Sequence, residues 1–168
     1  MDDAGDRGYS RAPELEDLVA LCRALDGEGV RYALIGGFAV ILHGFVRSTK
    51  DVDLLVDPSD ANVRALKRAL AYLPDNAAAQ LADDDVRRYT VVRVADEIVV
   101  DLMASAAGVR LEDLEPDGIE RMDVGGTSIP VATKESLVRM KQTVRESDAA
   151  DVEYLRLRIE EDERPREG

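Results

Sequence analysis

The chain carries one cysteine and one histidine in 168 residues. A disulfide framework is therefore excluded, and so is a zinc centre built from Cys and His ligands. Tryptophan is absent and aromatic residues make up 4%, too few for the stacking platforms that hold single-stranded nucleic acid. Basic residues are outnumbered, 22 Lys and Arg against 35 Asp and Glu, which leaves a net charge of −13. A mean field of that sign repels phosphate backbones, so the chain does not coat polyanions. Any nucleic-acid contact must be confined to a local basic cleft. Long apolar runs are missing as well. The longest, residues 38–42, falls far short of the ~18 residues of a membrane span. The acidic start MDDAGDRGYSRA has none of the basic-then-apolar order of a secretory signal. These absences lead us to expect a reduced, cytoplasmic protein with no membrane partner.

What is present suffices for one core. Apolar residues make up 45% of the chain, enough to fold one domain of this length. Residues 1–12 and 163–168 read as tails, 13–132 as the core and 133–162 as a small C-terminal helical part. Pro13 is expected to open a helix carrying Leu15, Leu18, Cys22 and Leu25 at three- and four-residue spacing. A strand over 30–35 is broken by Gly36-Gly37, and an apolar helix over 38–43 ends at Gly44. Residues 51–56 alternate as a strand, and Asp57-Pro58 is expected to cap and open the next helix. Residues 74–85 read as an acidic loop. Two β-rich runs, 86–94 and 97–103, suggest a hairpin, and Gly125-Gly126 suggests a second. Thr133 caps a helix with Leu137, Met140 and Val144, and a last helix begins near Asp148. The order predicts an α+β fold with a mixed sheet.

The chemistry concentrates in residues 32–57, YALIGGFAVILHGFVRSTKDVDLLVD. A strand runs through Gly36-Gly37 into a helix, which offers bare backbone N–H groups to an anion. Asp51 and Asp53 are two apart on a strand, so both carboxylates point to one face. Side-by-side carboxylates are hard to keep ionised without a cation, and hard oxygen ligands beside a phosphate site suit Mg²⁺. Arg47 and Lys50 lie just before them and can neutralise phosphate charge. Asp101 supplies a third carboxylate inside the apolar run IVVDLM, where a lone charge needs a partner or a metal. Three carboxylates from two strands can hold two Mg²⁺ ions for in-line attack on phosphorus.

In this pattern the chain resembles the DNA polymerase β-type nucleotidyltransferases. Within them it looks like the small bacterial AbiEii-type, toxin-like enzymes. Gly36, Gly37, Ala39, His43, Gly44, Arg47, Thr49, Asp51 and Asp53 fall on the front motif, and Lys141, Arg145, Asp148 and Asp151 resemble a late helix motif. Two positions depart from the pattern: Ser147 stands where a lysine is usual, and Gly37 replaces the commoner serine. The resemblance implies a polymerase β-like core that transfers a nucleoside monophosphate from an NTP to a hydroxyl. Asp51 and Asp53 would bind both metal ions, and Asp101 would complete the second ion's shell and orient the acceptor. Gly36, Gly37, Arg47, Lys50, Lys141 and Arg145 would contact the triphosphate. It further implies a tRNA or protein acceptor and a cognate antitoxin.

Plainer readings stand beside these. Asp101 can be paired by Arg88 or Arg93 on a neighbouring strand. His43 reads as a hydrogen-bonded core residue, and Cys22 as core. Lys141 and Arg145, four apart on one helical face, can be a solvated stripe, and Asp148 and Asp151 can cap the last helix. A small hydroxylated antibiotic is the alternative acceptor, which an acidic cleft would suit. A non-catalytic nucleotide-binding module is the other alternative.

Overall fold

The computed structural model describes residues 10–141 and 146–165, without the side chains of residues 146 and 147. The expectations for residues 1–9, Val144, Arg145, Ser147 and 166–168 therefore lie outside what is described. Ser10 and Arg11, at the edge of the expected tail, are anchored. Ser10 Oγ donates to the Asp96 carbonyl at 2.6 Å, and Arg11 pairs with Asp17 and Glu97.

Helix α1 (Leu15–Gly27) starts directly after its cap, Glu14, which forms a capping box with Asp17 in the first turn, so Pro13 precedes the cap instead of opening the helix. Its buried stripe is Leu18, Leu21, Cys22 and Leu25. Strand β1 (Tyr32–Ile35) is buried at every position, so layers cover both of its faces. Helix α2 (Gly36–Leu42) follows with no loop, so the two glycines form its first turn. Strand β2 (Asp51–Val56) comes next, then α3 (Asp60–Leu70). The cap of α3 is Ser59, whose hydroxyl accepts from the Asn62 amide; Asp57 instead accepts from the Ser59 amide in the turn before it.

The stretch expected to form a strand from residue 86 is partly helical. A 3₁₀ turn (Ala77–Gln80) and the short α4 (Asp85–Arg88) precede β3 (Val92–Ala95). Val86 is fully buried inside that turn, so its apolar side chain marks core contact and not strand. Strand β4 (Val99–Met103) completes the first hairpin, with Ala95 opposite Val99. A two-stranded ribbon of β5 (Ser105–Ala106) and β6 (Val109–Arg110) comes next, then α5 (Leu111–Leu114), which takes up the start of the acidic run 112–117 that reads from sequence as a solvated loop. The Gly125-Gly126 hairpin joins β7 (Ile119–Val124) to β8 (Thr127–Ala132). Thr133 caps α6 (Lys134–Met140), and α7 (Glu146–Glu163) packs against α6.

The main sheet runs β3-β4-β2-β1-β8-β7. β2 pairs parallel with β4 and antiparallel with β1, and β1 pairs parallel with β8. This is the expected mixed sheet flanked by helices. Among the described residues no helix is long and apolar enough to cross a membrane.

Candidate active site

Strand register assembles the site. Across the sheet, Arg93 lies opposite Asp101, Asp101 opposite Asp53, and Asp53 opposite Ile35. Residues paired across neighbouring strands share a face, so one row of four strands presents Arg93, Asp101 and Asp53 together. Asp51, two residues along β2, faces the same way. One oxygen from each of Asp51, Asp53 and Asp101 lies within 4.8 Å of the others. The sequence expected this convergence from the alternation on β2 and the apolar flanks of Asp101.

Gly36 explains how Asp53 fits there. Its φ is +71°, and a β-carbon built on it would collide with Oδ2 of Asp53. The strand-to-helix turn therefore makes room for a carboxylate against the backbone. At Gly37 a β-carbon would lie 2.7 Å from Thr49 Oγ1, so the loop over residues 43–50 can lie flat on the start of α2. Thr49 fixes that loop by donating to the Asp51 carbonyl at 3.1 Å.

Beside the carboxylates is an open cleft of about 320 Å³, lined by Gly37, Arg47, Thr49, Lys50, Asp51, Asp53 and Lys141. It thus joins two of the acids to three cations. Arg47 Nη1 donates to Asp151 Oδ2 at 2.5 Å, and Lys141 Nζ donates to the same oxygen at 2.8 Å and to Asp148 Oδ1 at 3.4 Å. Asp151 is 1% exposed and Asp148 4%. Asp151 lies in the second turn of α7 and holds both cations, whereas Asp148, the third residue of the helix, lies in its first turn and faces Lys141 as well. Sequence reasoning missed this role, because the late motif shows the acids without showing that they are buried. Arg145, assigned to the triphosphate alongside Lys141, lies outside the described residues.

Arg93 is the other partner of the triad. Nε and Nη2 donate to the two oxygens of Asp101, each at 3.0 Å, and Nη2 also donates to Asp51 Oδ2 at 3.1 Å. The salt bridge weighed for Asp101 is therefore present, and it leaves the three acids clustered. Burial, then the neighbouring Asp101, push the Asp51 carboxyl above the ordinary carboxylate range, against the pull of Arg93 and Lys50. Such crowding fits a site that takes a divalent cation.

His43 is buried. Its Nε2 lies 2.9 Å from the Ala132 carbonyl, so the ring ties α2 to β8. Phe45 stacks on Tyr154 with ring centroids 4.7 Å apart, and Tyr154 Oη donates to the His43 carbonyl at 3.0 Å. These contacts dock α7 on the loop that carries Arg47. Burial pushes the Cys22 thiol up to about 11, which keeps it inert near neutral pH.

Residues 14–163 match a family described as "Nucleotidyl transferase of unknown function (DUF2204)". No curated protein matches the chain. Among solved structures, it is similar to a lincosamide antibiotic adenylyltransferase, LnuA, with lincomycin bound. The TM-score is 0.57 at 17% identity, over 87% of this chain and 98% of that one. A candidate nucleotidyltransferase from Thermotoga maritima gives 0.51 at 18%, over 88% and 92%. An antigenic nucleotidyltransferase-like protein from Paracoccidioides brasiliensis gives 0.50 at 18%, over 88% and 76%. At these identities the structures establish the fold. Fold and family together define an enzyme of the nucleotidyltransferase class. Within that class, the chain belongs to the nucleotidyl transferase family of unknown function matched over residues 14–163.

Proposed function

We propose that the protein transfers a nucleoside monophosphate from an NTP to an acceptor hydroxyl and releases pyrophosphate. The supporting observation is the convergence of Asp51, Asp53 and Asp101 within 4.8 Å, next to a cleft bearing Arg47, Lys50 and Lys141. In the reaction, the acceptor oxygen bonds to the α-phosphorus and the α–β bridging P–O bond breaks. Asp51 and Asp53 would hold two Mg²⁺ ions, with Asp101 as a further carboxylate ligand. When bound, these ions neutralise triphosphate charge and favour attack by the hydroxyl oxygen. Asp101 orients the acceptor and takes its proton. Gly37 lets the triphosphate approach the backbone, and Arg47, Lys50 and Lys141 offset charge that grows on the leaving pyrophosphate.

The front motif through Asp53 resembles that of AbiEii-type toxins. It favours an RNA acceptor, tRNA first, or a protein, with a cognate antitoxin as partner. A second acceptor class, a small hydroxylated antibiotic, is supported by the similarity to a lincosamide adenylyltransferase. Labelled NTPs with Mg²⁺ and tRNA, a protein extract or lincosamides would identify the acceptor that gains label. Asp53→Asn should cut transfer at least about 10²-fold. Undiminished labelling by that variant would remove the triad from the mechanism.

A further inference from the structure

The triad already has a cation of its own. Arg93 sits on β3, the edge strand of the sheet, opposite Asp101. Its side chain is 60% exposed, whereas that of Asp101 is 7% exposed. The guanidinium therefore enters the site from the solvent side and can leave without disturbing the core. Yet its fork engages both oxygens of Asp101 and one oxygen of Asp51. A divalent ion needs carboxylate lone pairs at about 2.0–2.1 Å for Mg²⁺, and a bidentate arginine occupies some of them.

Building on the proposed metal site, we infer that Arg93 is an exchangeable counter-ion of the triad, holding Asp51 and Asp101 together in the metal-free enzyme and yielding their oxygens when a divalent cation enters. Three carboxylates this close repel one another, and one fixed positive charge relieves that repulsion while no metal is bound. The same contacts make arginine and metal competitors. A purely supporting side chain predicts the opposite outcome. Removing a group that orients metal ligands typically weakens metal binding, by about 10–100-fold.

The test uses the full chain, with calorimetric titration of Mn²⁺ and Mg²⁺ and melting with and without metal. Arg93→Gln should bind Mn²⁺ on the order of tenfold more tightly than the unmodified protein. Without metal it should melt about 2–4 °C lower, and saturating Mg²⁺ should close that gap. Arg93→Lys keeps the charge and loses the fork, so it should bind Mn²⁺ more tightly than the unmodified protein and less tightly than Arg93→Gln. Unchanged or weaker binding by Arg93→Gln overturns exchange, as does Arg93→Lys binding like the unmodified protein. A metal-free melting temperature unaffected by Arg93→Gln overturns the holding role. If the unmodified protein binds neither ion, the metal-site proposal itself fails, a different result from tight binding that is indifferent to position 93.

Discussion

At the scale of single residues, the site depends on one volume that two groups cannot share. Gly36 has a positive φ, and the place of its missing side chain is taken by the Asp53 carboxylate. Gly36→Ala therefore meets two obstacles, an unfavourable backbone region and a collision. We expect a loss of about 2 kcal/mol or more in urea denaturation, and weaker Mn²⁺ binding because Asp53 must turn aside. Normal stability with normal binding would show that the turn relaxes freely. Asp51 and Asp53 were legible because a period of two puts alternate residues on one face, and Asp101 because an acid in an apolar strand needs a partner. Arg93 was legible only as one of two candidate partners. Fixing on it required the register of the β3–β4 hairpin, which places residue 93 opposite 101.

At the scale of elements, α7 reaches the cations of the cleft most directly through Asp151, beside the Asp148 and Tyr154 contacts. Asp151 receives both Arg47, from the loop before β2, and Lys141, from the end of α6. Asp151→Asn leaves those cations facing a neutral group in a buried place. It should cost about 3 kcal/mol of stability and raise the KM for NTP, since the proposed phosphate contacts lose their positioning. A variant with unchanged denaturation midpoint and KM would separate α7 from the cleft. The long helices were readable from their apolar spacing. The segment from residue 104 to 114 was not, because two-residue strands and a four-residue helix are shorter than any period. The cap of α3 moved from Asp57 to Ser59 because Asp57 is engaged by the Ser59 amide and by Arg31.

For the whole molecule, an excess of 13 negative charges raises the question of which carboxylates favour the folded state. Asp96 is one. Burial pushes its carboxyl up, but the backbone amides of Ala77, Asp75 and Glu97 together hold it below the ordinary range. A depressed folded value means that the unfolded chain takes up the proton first as pH falls. The stabilisation is thus present above pH of about 4 and is lost as pH falls through the folded value. Asp96→Asn should cost about 2 kcal/mol near neutral pH, and the difference from the unmodified protein should shrink on acidification. Urea midpoints at neutral pH and near pH 3 would check this, and a gap that is constant or widens would contradict it.

The docking of α7 also bears on the timing of activity during synthesis. The triad and its arginine are complete once β4 has emerged, whereas Asp151 and Tyr154 follow some fifty residues later. A nascent chain still lacking α7 has the acids but not the Asp151 carboxylate that fastens Arg47. Catalytic competence should therefore wait until α7 has cleared the ribosome and docked.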